Sequence, residues 1–174
     1  MNKVIFLDRD GVINVEKNYL HKIDDFEFIE GVISALQYLQ KLGFKLVIIT
    51  NQSGIGRGYY TFEQYTILTH WLKKELQQNG INIVEIFCCP HAPNEDCQCR
   101  KPNIGMIKEA SKILDIDYEN SWLIGDKDSD IQTAINAQIK NTIQVRSGHN
   151  FDEHSSKANY VIDSLKDVVN IIKE

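Results

Sequence analysis

The sequence predicts an α/β fold of three layers, a Rossmann-like parallel sheet with helices on both faces, in a single domain spanning residues 1–174. Two observations carry that expectation. Short runs that are apolar throughout alternate along the chain with segments of helical spacing, as strands do when helices bury them on both sides. No internal repeat, low-complexity tract or Pro/Gly-rich linker breaks the alternation, and 174 residues at 43% hydrophobic suit one core rather than two.

The elements follow in order. KVIFL, Lys3 to Leu7, is the first strand; Val32, Leu36 and Leu39 then mark one face of a helix that Gly43 stops. KLVII, Lys45 to Ile49, is the second strand. The GIGRG that follows lacks both the G-K-[ST] ending of a Walker loop and the six-residue glycine spacing of a dinucleotide fingerprint, and reads as a flexible turn. Phe62 to Gln78 has helical spacing and ends before Gly80; IVEIFC, Ile83 to Cys88, is the third strand. Ile104, Ile107 and Ile113 mark the next helix, SWLIG, Ser121 to Gly125, the fourth strand, and Ile131, Ala134 and Ile135 another helix. NTIQV, Asn141 to Val145, is the fifth strand, YVI at Tyr160 a sixth, and Leu165 to Ile172 a closing helix.

Charge and targeting signals narrow the class of function. A net charge of -5, with no block of like charges, argues against nucleic acid or an anionic membrane as partner. The start of the chain has only the apolar run VIFL before charged residues, short of the ~7 and ~18 that a signal peptide and a membrane span need. A cytoplasmic monomer with reduced thiols is expected. The four arginines, Arg9, Arg57, Arg100 and Arg146, each sit in or near a loop fed by a strand, so a parallel sheet would gather them along one edge, where they suit a small anionic ligand.

Sheets of this kind bind ligands at the carboxyl ends of their strands. The first strand runs into DRDG, with Asp8 and Asp10 two residues apart, the second into Thr50, and the fourth into GDKDSD, with Asp126, Asp128 and Asp130. Carboxylates converging from two strand ends make a hard-oxygen site for Mg2+. A hydroxyl, a lysine and free backbone N–H groups would add a phosphoryl site, on which Asp8 can act as a nucleophile.

All four cysteines fall in CCPHAPNEDCQC, residues 88–99. Cys89, His91, Cys97 and Cys99 supply three thiolates and an imidazole, a complete tetrahedral set for Zn2+ with no position open to water, hence structural. Disulfides are disfavoured by the reducing compartment and by the strain of adjacent and C-x-C pairs. Cys88 reads as core. The loop lacks apolar side chains, so the metal would fix its shape and aim Arg100 and Lys101, which follow the last ligand.

These residues resemble the haloacid dehalogenase-like phosphohydrolases over nearly the whole chain, with D-x-D-G, a strand-ending Thr, a Lys and G-D-x-x-x-D in that family's order. The resemblance implies Asp8 as nucleophile and Asp10 as general acid and base, with Thr50 and Lys101 stabilising the phosphoryl group. It implies Mg2+ on the Asp8 and Asp126 side chains and the Asp10 carbonyl, with Asp130 behind them. Asn14 to Glu30 occupies the place where larger relatives insert a cap domain and is too short to fold as one, so no cap is expected.

The C-x-H...C-x-C-R-K-P loop narrows the resemblance to two capless groups, the D-glycero-D-manno-heptose 1,7-bisphosphate 7-phosphatases and the histidinol-phosphate phosphatases. DRDGVINV, Tyr19, FEFIEGV, TNQSGIGRG and GDK look like the first group. That likeness implies a small sugar phosphate substrate and a place in nucleotide-activated heptose synthesis. The five-residue gap between His91 and Cys97 occurs in both groups, so histidinol phosphate stays open as substrate. The likeness also assigns substrate contacts to Glu16, Lys17, Asn18, Tyr19, Thr50, Asn51, Gln52, Ser53, Arg100, Lys101 and Lys127. Arg100 is the candidate for a second phosphate, and Asn18 stands where relatives often carry Gly, a swap tolerable if that position needs a left-handed backbone. A phospho-acceptor receiver domain would instead need its acceptor Asp at the end of the third strand, where this chain has Cys-Cys-Pro.

Overall fold

The computed structural model describes residues 1–174 and contains one six-stranded, all-parallel sheet. The strands are β1 (Val4–Leu7), β2 (Lys45–Asn51), β3 (Ile83–Cys89), β4 (Trp122–Gly125), β5 (Asn141–Val145) and β6 (Tyr160–Ile162), in the order β3-β2-β1-β4-β5-β6. The helices are α1 (Val32–Lys41), α2 (Ser53–Gly56), α3 (Phe62–Gln78), α4 (Gly105–Ser111) and α5 (Asp128–Asn136). No helix is long and apolar enough to cross a membrane.

The period of two along each strand explains the three layers. Ile5 and Leu7 of β1, with Leu46 and Ile48 of β2, face one core with Leu36 and Leu39 of α1 and Leu72 and Leu76 of α3. Val4 and Phe6, with Val47 and Ile49, face the other, packed on Met106, Ile107 and Ala110 of α4 and Ala134 of α5. Each such strand residue is buried whichever way it points, which is why the strands lack polar alternation. Burying one of these side chains contributes about 1.5–3 kcal/mol.

Local signals set the helix ends. Thr61 caps α3 through its Oγ1, which accepts from Gln64 N at 3.1 Å, while Gln64 Oε1 accepts from Thr61 N at 2.9 Å. Two expectations change and a third, the absence of a cap, holds. GIGRG is not a free turn: its first glycines lie in α2, Gly54 is buried against Tyr60, and Arg57 caps the turn. The closing helix is a 3-10 segment, Leu165–Asn170, that still covers the sheet through Leu165 and Val168. Residues 14–30, between β1 and α1, hold only a 3-10 turn at Ile23–Asp25, so no cap covers the strand ends.

Candidate active site

The loop after β1 is folded by its own backbone. Arg9 O accepts from the N–H groups of Val12, Ile13 and Asn14, and Gly11 adopts φ 84 to close the turn. This places both carboxylates of DRD at the sheet edge with different partners. Asp8 Oδ1 accepts from Arg9 N at 2.9 Å and from Lys101 Nζ at 3.0 Å. Asp10 accepts from Arg9 Nη2, Asn14 Nδ2 and Gln52 Nε2, each at 3.0 Å.

The two acids are tuned apart. Burial raises Asp8 well above the usual carboxylate range, reinforced by the charges of Asp130, Asp126 and Asp10 against the pull of Lys101. Burial works in the same direction on Asp10, but the Arg9 guanidinium and the hydrogen bonds from Asn14, Arg9 and Gln52 outweigh it and hold the carboxyl low.

Lys101 crosses from the loop after β3 and is almost fully enclosed. Its ammonium lies 3.0 Å from Asp8 Oδ1 and 2.7 Å from Asp130 Oδ1, and donates to Ile49 O at 2.9 Å. Burial alone would lower its pKa; the Asp130 and Asp8 carboxylates reverse that and raise it. The backbone is fixed too, since Lys101 N donates to Asn51 Oδ1 at 3.1 Å. Asp130, in the first turn of α5, accepts from the N–H groups of Asp126 and Lys127, both at 3.1 Å, through its Oδ2. It therefore braces the β4 turn rather than standing free, as its expected place behind the metal ligands implies.

Asp8, Asp126 and Asp130 bring one carboxylate oxygen each within 4.8 Å of one another, and all three are buried. Burial, then the charge of Asp130, pushes Asp126 up to about 6. Three buried carboxylates against one ammonium leave an excess of negative charge that a divalent cation would offset. Asp126 Oδ1 is buried without a hydrogen-bond partner, an acceptor available to such an ion. The site fits Mg2+.

Above these groups opens a cavity of about 220 Å3. Of the residues expected there, Asp8, Asp10, Glu16, Asn18, Tyr19, Asn51, Gln52, Ser53, Arg100, Lys101 and Lys127 line it. Asn18 and Tyr19 are left-handed at φ 53 and 62, and Glu16 Oε1 accepts from Asn18 N at 2.7 Å. Lys17 does not line the cavity; its ammonium turns to Glu27 Oε2 at 3.2 Å. Thr50, fully buried, lies beneath the wall, its hydroxyl accepting from Gln52 Nε2 at 2.8 Å. Asp128 accepts from Gln144 Nε2 at 3.1 Å, apart from the carboxylate cluster.

The four arginines do not gather as expected. Arg57 and Arg100 line the cavity, whereas Arg9 is buried behind it, bonded to Asp10 and to Leu20 O. Arg146 leaves β5 to pair with Glu153 and with Asp163, because those carboxylates offer it partners outside the cavity. His149, on the loop after β5, was not singled out in the sequence; it reaches Asp126 and lines the cavity. The only sequence signal for it was a polar SGHN stretch following a strand at the same sheet edge.

The cysteine loop closes on itself. Cys89, His91, Cys97 and Cys99 place their ligand atoms within 4.8 Å, Cys89 and Cys97 sulfurs being 3.7 Å apart and His91 Nδ1 3.4 Å from Cys89. The Cys89–Cys97 separation matches the ~3.8 Å edge of a zinc tetrahedron with Zn–S of ~2.3 Å, whereas the Cys89 and Cys99 sulfurs stand closer, at 2.8 Å. Every cysteine is a free thiol. Cys88 stands outside the set, half-buried, its thiol pushed up to about 11 by burial. Asn103 Nδ2 donates to Cys97 O at 2.9 Å and Gly105 N to Gln98 O at 2.9 Å, tying the cluster to the segment that carries Lys101.

Comparison with known proteins agrees with this geometry. A family model described as polynucleotide kinase 3 phosphatase matches residues 3–160. A D-glycero-beta-D-manno-heptose-1,7-bisphosphate 7-phosphatase of Pasteurella multocida is 44% identical over 180 residues, covering 99% of this chain and 98% of the relative. A D-glycero-alpha-D-manno-heptose-1,7-bisphosphate 7-phosphatase of Photorhabdus laumondii is 48% identical over 163 residues, covering 90% and 89%. Among solved structures, a D,D-heptose 1,7-bisphosphate phosphatase of B. bronchiseptica, complexed with magnesium and phosphate, aligns with a TM-score of 0.83 at 28% identity, covering 95% of each chain.

The mutual dependence of the buried charges is testable. Lys101→Met keeps the side chain's length but leaves Asp8 and Asp130 facing one another without the ammonium. Breaking a buried pair in this way typically costs about 3–5 kcal/mol, to be read from urea unfolding in magnesium-free buffer; a loss below about 1 kcal/mol would refute it.

Proposed function

This chain belongs to the D-glycero-D-manno-heptose 1,7-bisphosphate 7-phosphatases of the haloacid dehalogenase-like phosphatases, and we propose that it hydrolyses the 7-phosphate of that substrate through a phosphoryl group carried on Asp8. The observation that carries the mechanism is geometric: Asp8, bonded to the Lys101 ammonium, and Asp10, two residues on, line one cavity with their carboxylates on separate partners.

In this reading the Asp8 carboxylate attacks phosphorus, forming its O–P bond as the sugar O–P bond breaks. Lys101, beside Asp8, lowers the repulsion between two anions. Thr50 acts from beneath, through Gln52, which bonds both its hydroxyl and Asp10. Asp10 begins ionised, so the proton that it passes to the leaving alkoxide is one it takes from the bound phosphate monoester, whose second pKa is ~6. The alkoxide leaves as an alcohol. Asp10, again a carboxylate, then takes a proton from water as that water attacks phosphorus and restores Asp8. Bound through the side chains of Asp8 and Asp126 and the carbonyl of Asp10, Mg2+ would offset charge on the phosphoryl oxygens.

The far end of the substrate meets cations that the chemistry does not use. Arg100 Nη1 is buried without a hydrogen-bond partner, which suits it to a second phosphate, and Arg57 and Lys127 line the same cavity. Zn2+ on the three cysteines and His91 would be structural, holding the loop that delivers Arg100 and Lys101. Action as a monomer is the simplest reading, and four free thiols suit the cytoplasm.

The substrate is tested by comparing kcat/KM for both anomers of heptose 1,7-bisphosphate with that for histidinol phosphate. The bisphosphate should win by at least ~10^2; preference for histidinol phosphate would overturn the assignment. Asp8→Asn should fold normally and fall below about a hundredth of wild-type turnover, a barrier increase of at least ~2.7 kcal/mol. Faster phosphate release by a folded variant would exclude a covalent role for Asp8. Elemental analysis should find about one zinc per chain, and Cys97→Ser should lose it. Activity should then fall ~10^2-fold or more, since ~1 Å of displacement at Lys101 suffices, while Mg2+ binding persists. Full activity without zinc would exclude the supporting role.

A further inference from the structure

Asp126 is completely buried, and its two carboxylate oxygens live in different surroundings. Oδ2 accepts from the backbone N–H of His149 at 2.8 Å and lies 2.7 Å from His149 Nδ1. Oδ1, equally buried, has no hydrogen-bond partner. The backbone closes on the occupied oxygen from two sides, since a Cβ built on Gly11 or Gly148 would overlap Oδ2. The unoccupied oxygen belongs to a carboxylate in the cluster with Asp8 and Asp130. One edge of Asp126 is therefore clamped and the other left bare.

An ionised carboxylate can only accept, so against it Nδ1 carries the proton. The ring's other nitrogen, Nε2, is turned toward the cavity, 3.9 Å from Glu16 Oε2. We infer that His149 is a positioning residue for the divalent-cation site: its backbone N–H and Nδ1–H hold Asp126 by Oδ2 and so present Oδ1 to the ion. The inference rests on the reading of Asp126 as a ligand. Hydrogen bonds to a ligating carboxylate fix its orientation, and their loss typically weakens metal binding 10–100-fold. His149 suits the task because its backbone and side chain grip the same oxygen, while Gly148 before it allows the loop to approach so closely.

The experiment is a calorimetric titration of the zinc-loaded protein with Mg2+ alone, in the absence of substrate. Wild type is compared with His149→Ala, His149→Asn, His149→Gln and Asp126→Ala. Asn places an amide N–H where Nδ1 stood, whereas Gln places it nearer the position of Nε2. His149→Ala and His149→Gln should weaken Mg2+ binding ~10–100-fold, and His149→Asn should stay within ~3-fold of wild type. The ring is 41% exposed, so these substitutions spare both cores. Alanine binding Mg2+ within ~3-fold of wild type, or Asn failing as badly as Ala, would overturn the inference. Undiminished binding by Asp126→Ala would instead overturn the assignment of Asp126 as a ligand, which separates the two failures.

Discussion

The ammonium of Lys101, set between Asp8 and Asp130, is the interaction on which the rest of the site depends. Buried acids at a sheet edge are an electrostatic liability: each loses its hydration, and each raises the cost of ionising its neighbours. Lys101 is nearly inaccessible and spends all of its contacts on those carboxylates and on Ile49 O. It cannot cancel the charge alone, and the remaining excess is what a divalent cation would offset. The same lysine arrives on a loop with few apolar residues to anchor it, Ala92 among them, so the cysteine cluster that precedes it becomes part of the electrostatics.

The five strand ends contribute in proportion to their distance from the centre of the sheet. β1, paired with both β2 and β4, carries Asp8, the proposed nucleophile, and its neighbours supply Thr50 and Asp126. Farther out, the loops after β3 and β5 supply Lys101 and His149, which act on the groups at the centre. Asp8 and Thr50 stand at or next to a strand's end and are located by the sheet itself, whereas Lys101 and His149 lie farther along their loops and need separate support. For the β3 loop that support is the cysteine cluster and Asn51, and for the β5 loop the close packing of Gly148 on Asp126.

Much of this was legible in the residues. Strands apolar on both faces announce a sheet covered twice, and the strand boundaries from Val4 to Ile162 followed from that. Asp8, Asp10, Asp126 and the cysteine set were visible because their chemistry is rare and their spacing tight. What sequence could not give was direction. Arg146 and Lys17 have the charge an anion site wants, yet each found a carboxylate elsewhere, and such pairings depend on loops meeting far from the strands that fed them. Thr50 stands at the right strand end but one layer down. His149 went unread because a lone histidine in a loop has no periodicity, and its value comes only from contact with Asp126.

The short segment between β1 and α1 has a kinetic meaning beyond leaving room for a sugar. A covalent phosphoryl carrier must choose between acceptors, and enzymes that transfer rather than hydrolyse exclude solvent by closing a lid. Here no cap domain covers the strand ends, which leaves water free access as an acceptor. The architecture thus biases the fate of the phosphoryl group before any base is considered. A variant that transferred phosphate to a second sugar would have to begin by lengthening residues 14–30, not by changing Asp10.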